Sequence, residues 1–286
     1  MASSTDQIAE LCVSISVKVQ ADEEEDMETL FRLIAPVAAA YIGLCTVLYL
    51  VQDHLIFYPA GVWREPQKPH VQPVALERDD GTVLNGWVVN PDAAGPVLVY
   101  YGGNAEELSG LVNIFEHLEC TTLLMNYRGF GTSEGRPSTS ALIDDAEAVM
   151  SELVPRYGVD RPLILFGRSL GSGIAASVAR SVRVDGVILM SPFRSLHHLA
   201  ERLFPWLPTR WLLRHQLDVL ESVDSLPEKT LVLYSPSDRI VPASETKALL
   251  RLFPNEPRVV EFHGGHNVPL TLPGIWREIV AFVEAD

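Results

Sequence analysis

A chain of 286 residues, 47% hydrophobic and 21% charged, has globular composition and can bury the core of one large domain, which argues against an intrinsically disordered protein. The formal net charge is −15, with no basic stripe able to neutralise phosphates, which argues against a nucleic-acid partner. Cys12, Cys45 and Cys120 are too scattered for a disulfide framework or a zinc site.

Residues 1–30 hold an acidic run, Asp22, Glu23, Glu24, Glu25, Asp26 and Glu28, expected as a solvated, disordered tail. Met27 offers an alternative start that would leave a short segment ending at Arg32 before the next element. That element, residues 31–51, reads as a transmembrane anchor. Its run Leu33 to Val51, LIAPVAAAYIGLCTVLYLV, carries no charge and no polar face. As a helix it spans about 28 Å, close to the ~30 Å hydrocarbon core. Pro36 is expected in the first turn, where its missing N–H costs least. A cleaved signal peptide fits less well, because the run is long and follows acidic rather than basic residues. Lys18 and Arg32 before it are matched by Arg64 and Lys68 after it, so the charge rule assigns no side of the membrane. Residues 52–72 read as a connector broken by Pro59, Pro66 and Pro69.

Residues 73–286 read as one α/β domain. Two alternating runs, VQPVALE and TVLNGWVV, flank Asp79-Asp80-Gly81 and predict an antiparallel hairpin. Short, solidly apolar strands then follow at 96–101, 120–126, 162–166, 186–190, 230–235 and 258–262. Helices are predicted near 105–118, 138–156, 170–183, 243–253 and 273–284. Apolar strands alternating with helices imply a mostly parallel sheet covered on both faces, a three-layer sandwich. Residues 193–222, rich in Trp, Leu and Phe, exceed one crossover and read as a small helical lid.

The sharpest chemical signal is Gly167-Arg168-Ser169-Leu170-Gly171, between the strand PLILF and an Ala-rich helix. This is G-x-S-x-G in strand–turn–helix context, with small residues where a very tight turn leaves no room for side chains. Gly173 is expected to give further room where that helix presses on the sheet. Ser169 then reads as a nucleophile, which needs a base. His266 in FHGGHN, after the last strand, fits that role, with His263 in the same loop as the alternative. The base needs an acid to fix its tautomer, and Asp238 in PSDRIVP follows a strand end; Asp218 and Asp224 are alternatives. The oxyanion donors are expected to be the backbone N–H groups of Leu170 and Asn104, with Gly103 as the alternative to Asn104.

Taken together, QDHLIFYP, YYGGNAEE, NYRGFGTSEG, FGRSLGSG, SPFRSL, SPSDRIVP and GGHN resemble the α/β-hydrolase superfamily, in its membrane-anchored ABHD-type and serine-aminopeptidase-like branch. The resemblance runs in order from about residue 50 to the end. It implies a serine hydrolase cleaving esters or thioesters through Ser169, His266 and Asp238, with no metal or organic cofactor. A small-molecule or lipid-like acyl substrate and a membrane location are the expected partners. Relatives commonly carry His-Gly-Asn where Gly102-Gly103-Asn104 stands here. Alternatives on the same scaffold are a serine peptidase, an acyltransferase and a catalytically silent binding module. Within NYRGFGTSEG, Arg128 and the glycines read as a structural turn.

Overall fold

The computed structural model describes residues 4–61, 65–158 and 160–285, with side chains at Lys18 and from Met27 onward. It divides into two compact units, Met1–Val51 and Gln52–Asp286.

The first unit belongs to one helix, α1 (Ser4–Ile56), whose last turn lies in the second unit. The helix passes through the acidic run expected as a disordered tail. Glutamate is a strong helix former, a preference that charge and hydropathy alone do not report. Pro36 therefore lies inside the helix and not in its first turn, and removes one backbone hydrogen bond there. Within α1, Met27–Ile56 is long and apolar enough to cross a membrane, and its most apolar window is 0% buried.

In the second unit, β1 (Val71–Glu77) and β2 (Val83–Val89) form the expected hairpin. Asp80 Oδ1 accepts the Thr82 N–H at 2.9 Å, and Gly81 turns the chain at φ 79°. Pro73 is tolerated because β1 is an edge strand. Then come β3 (Val97–Tyr101), α2 (Val112–Phe115), β4 (Thr121–Met125), α3 (Thr139–Ala148), β5 (Leu163–Arg168), α4 (Leu170–Ser181) and β6 (Gly186–Met190). After β6 follow α5 (Leu196–Leu203), α6 (Thr209–Leu212), β7 (Thr230–Tyr234), α7 (Ala243–Leu250), β8 (Arg258–Glu261) and α8 (Pro273–Val283).

The sheet order is β1-β2-β4-β3-β5-β6-β7-β8, antiparallel as far as β4 and parallel from there. Period-2 alternation explains why the central parallel strands carry apolar side chains on both faces. Val99, Leu165, Leu189 and Val232 pack with Ile174 and Val178 of α4. Leu98, Tyr100, Phe166 and Leu231 face the other way, onto Phe115, Ile275 and Ile279. The central strands β3 to β7 are thus buried on both faces, giving the three-layer sandwich, while β8, expected as a buried strand, lies at the sheet edge and is largely exposed.

Two predicted elements differ. The helix near 105–118 dissolves into a 3₁₀ turn, Leu108–Leu111, and the single turn α2. Ala105 at φ 60° and the Glu107 carboxylate on the Ser109 N–H delay its start. The helix at 138–156 is α-helical only to Ala148, then widens and tightens around Pro155, which has no N–H to donate. The segment 193–222 forms α5 and α6, closed at its base by a bridge between Ser195 and Asp218. Arg128 forks onto Asp145 at 2.7 and 2.6 Å, a structural clamp beneath its turn.

Candidate active site

The parallel strands bring their C-terminal ends to one edge of the sheet, where the loops after β3, β5, β6, β7 and β8 converge. Ser169 lies between β5 and α4 at φ 50° and ψ −115°, a region that costs a non-glycine residue about 1–3 kcal/mol. The surroundings hold it there. Its N–H donates to Met190 O at 2.8 Å, and its carbonyl accepts from the Ser172 N–H and Oγ at 2.8 and 2.6 Å.

The glycines explain why the turn can be this tight. A Cβ at Gly167 would overlap the Gly171 carbonyl, and one at Gly171 would overlap the Tyr101 carbonyl at the end of β3. Gly173 differs from its expected role: a Cβ there meets the Leu217 side chain, after α6, and not the sheet. Gly171→Ala is expected to destabilise residues 52–286 by about 3 kcal/mol or more in urea unfolding. A near-normal midpoint would mean that α4 can move off β3.

Ser169, His266 and Asp238 meet in one hydrogen-bonded line. His266 Nε2 is 2.9 Å from Ser169 Oγ, and His266 Nδ1 is 2.7 Å from Asp238 Oδ2. Asp238 is buried, and all its acceptor directions are used. Oδ1 accepts the N–H groups of Ile240 and Val241 at 2.9 and 2.8 Å, while Oδ2 also accepts Ser191 Oγ at 3.1 Å. Burial alone would raise this carboxyl's pKa, but the hydrogen bonds from His266 and the two amides outweigh it and hold it below the usual carboxylate range. The alternatives do not join this line. His263 is exposed, Asp224 is exposed, and Asp218 instead caps the Leu220 N–H at 2.8 Å.

Leu170 is the first residue of α4, so its N–H has no intrahelical acceptor and sits at the positive end of the helix dipole. The loop after β3 approaches from the other side: a Cβ at Gly103 would lie 3.8 Å from Ser169 Cβ. The Gly103 N–H is already committed to Glu106 Oε2 at 2.7 Å. The Asn104 N–H has no acceptor among the described residues, while its side chain turns away to accept the Tyr58 N–H and donate to Ile56 O.

A supporting network was not legible in the sequence. Glu106 accepts from Gly103 N–H, Tyr100 Oη and Arg168 Nη1, and Arg168 Nη2 reaches the carbonyls of His266 and Val268 at 3.3 and 3.1 Å. The residue preceding Ser169 thus fastens the loop after β3 and the histidine loop to the same turn. Ser191, at φ 51° after β6, is the other unforeseen member. Its place in SPFRSL was the available signal.

Tyr101 Oη is buried with no hydrogen-bond partner among the described residues. Tyr101→Phe is expected to leave stability unchanged or raise it by up to about 1 kcal/mol. A lowered urea midpoint would reveal a partner for the hydroxyl.

The profile of the family described as "Serine aminopeptidase, S33" matches residues 100–217, and that of "Serine hydrolase (FSH1)" matches residues 167–274. An uncharacterized protein of Mycobacterium tuberculosis is 34% identical over 253 residues, covering 85% of this chain and 90% of its own. The alpha/beta hydrolase domain-containing protein WAV2 of Arabidopsis thaliana is 26% identical over 237 residues, 73% of this chain and 77% of its own. An uncharacterized membrane protein of Saccharomyces cerevisiae is 31% identical over 269 residues, 86% of this chain and 93% of its own. Among solved structures, an esterase of Pyrococcus furiosus superposes with a TM-score of 0.64 at 18% identity, over 80% of this chain and 97% of its own. The chain belongs to the α/β-hydrolase family of serine hydrolases.

Proposed function

We propose that the chain is a membrane-anchored hydrolase of carboxylic esters or thioesters, with Ser169 as nucleophile, His266 as general base and Asp238 as the acid that orients it. The observation that carries this reading is the pair of hydrogen bonds running from Ser169 through His266 to Asp238.

Ser169 Oγ attacks the substrate carbonyl carbon as its proton passes to His266 Nε2. The negative charge on the former carbonyl oxygen is met by the N–H groups of Leu170 and Asn104, each worth roughly 100- to 1,000-fold in rate. The intermediate collapses as His266 gives the proton to the departing alkoxide or thiolate. Water, deprotonated in turn by His266, attacks the acyl-enzyme and releases the acid. Asp238 stays ionised throughout and stabilises the imidazolium.

A peptidase reading draws support from the name of the matching aminopeptidase profile. An aminopeptidase needs a free carboxylate to hold the substrate's ammonium group beside the nucleophile. Glu106, beside the loop after β3, is instead committed to Gly103, Tyr100 and Arg168. Esters and thioesters also leave without the full protonation that an amine requires. The anchoring rests on Met27–Ile56 and on the yeast relative's description as a membrane protein.

The test is a panel of p-nitrophenyl esters of increasing chain length beside aminoacyl p-nitroanilides, run on the purified chain. Ester cleavage that exceeds anilide cleavage supports the reading, and the length preference sizes the acyl pocket. Cleavage of the anilides alone would move the assignment to the peptidase.

A further inference from the structure

We propose that the helical insertion between β6 and β7 docks on the surface of an anionic bilayer. The proposal rests on the anchoring reading above and adds to it a second membrane contact, made by the insertion itself.

The first observation is where the apolar surface lies. Seven large hydrophobic side chains are exposed among the described residues beyond Tyr58, and four of them, Leu203, Phe204, Trp206 and Trp211, fall within one short stretch across α5 and α6. Trp211 exposes 83% of its surface, while Trp87 in the sheet exposes 4%. Tryptophan is the residue enriched where hydrocarbon meets headgroups, because its ring is apolar and its indole N–H is polar.

The second observation is charge. In a chain of net charge −15, residues 194–215 carry Arg194, Arg202, Arg210 and Arg214 against Glu201 alone. Arg194 is paired with Glu245 and Arg214 with Asp53. Arg202 and Arg210 are exposed and have no carboxylate partner among the described residues. Exposed arginines beside exposed aromatic and aliphatic side chains match anionic headgroups over an acyl boundary.

The third observation is how the insertion is held within its own unit. Gln52 follows directly on Val51, the last residue of the uncharged run. Gln52 Nε2 donates to Leu212 O at 3.1 Å, and Gln52 Oε1 accepts the Arg214 N–H at 2.8 Å. Asp53 Oδ1 accepts from Arg214 Nη2 at 2.6 Å and lies 2.7 Å from His215 Nε2. The end of α6 is thus fastened within one helical turn of the point where the chain leaves its apolar run. Asn104, whose N–H is the proposed oxyanion donor, is fastened to the same segment through Ile56 and Tyr58.

The experiment uses the full chain reconstituted in vesicles of phosphatidylcholine with a minority of phosphatidylglycerol, with plain or brominated acyl chains. Bromine quenches tryptophan only on contact, and subtracting the Trp211→Phe spectrum isolates the Trp211 emission. Loss of most of that emission in brominated vesicles is the expected result. In the same vesicles, Trp211→Asp should slow hydrolysis of a long-chain ester dissolved in the bilayer by roughly tenfold, while a short water-soluble ester is cleaved at the wild-type rate. Co-flotation with vesicles but unquenched Trp211 would overturn the docking alone. Unquenched Trp211 together with a doubled mass would assign the face to a second copy and also overturn it. Failure to co-float would overturn the anchoring on which the proposal stands.

Discussion

Ser169→Ala is expected to lower ester turnover by roughly a million-fold while the protein folds normally. In the proposed mechanism the serine supplies the bond-forming oxygen, so no neighbouring group substitutes for it. Ser172 and Ser191 are near in sequence or space, but both hydroxyls are engaged, Ser172 with Ser169 O and Ser191 with Asp238. Folding should survive and even gain slightly, because Ser169 makes few structural side-chain contacts beyond His266. A residual rate of about 1,000- to 10,000-fold over water is expected from the oxyanion donors and substrate binding. The check is kcat on the preferred p-nitrophenyl ester, with circular dichroism to establish the fold. Activity within tenfold of wild type would remove Ser169 from the chemistry.

Asp238→Asn should cost about 10,000-fold in kcat with little change in KM. The substituted amide can keep its oxygen on the Ile240 and Val241 N–H groups, which preserves the loop. Its NH₂ then faces His266 Nδ1, which must accept where it formerly donated. The proton is forced to Nε2, and the imidazole can no longer take the proton from Ser169. Near-wild-type turnover would pass the orienting role to another acid, Asp218 or Asp224. The same carboxylate has a signature in stability. Its pKa is lowered in the folded protein, so its contribution is fully present above the unfolded value and is lost as pH falls through the folded one. The stability gap between wild type and Asp238→Asn should therefore hold near neutrality and shrink below about pH 4. A gap that instead widens in acid would contradict the lowered pKa.

What could be read from the sequence was set by how local the cause is. Buried parallel strands must be apolar on both faces, so β3 to β7 stand out as buried runs, whereas β8, with Arg258 and Glu261 at its ends, is an exposed edge strand. The turn at Ser169 was legible because only glycine fits at 167 and 171 once α4 lies against β3. His266 and Asp238 were legible from their places after β8 and β7. The rest depends on partners far along the chain. Arg168 and Glu106 meet across 62 residues, and no spacing rule joins them. The packing of α4 on the sheet suggests that Gly173 faces the strands, but the helix face at that position meets Leu217. The helix near 105–118 had the right composition, yet the close approach of Gly102 and Gly103 to the nucleophile turn and the positive φ at Ala105 hold its start back. For α1, net charge suggested disorder where the helix propensity of glutamate pointed the other way.

The most direct measurement is mass spectrometry of the full chain after exposure to a fluorophosphonate, which reacts only with a serine activated by its surroundings. A single adduct is expected, mapping to the peptide that contains FGRSLGSG and absent from Ser169→Ala. No adduct on the folded chain, or an adduct on a different serine, would contradict it.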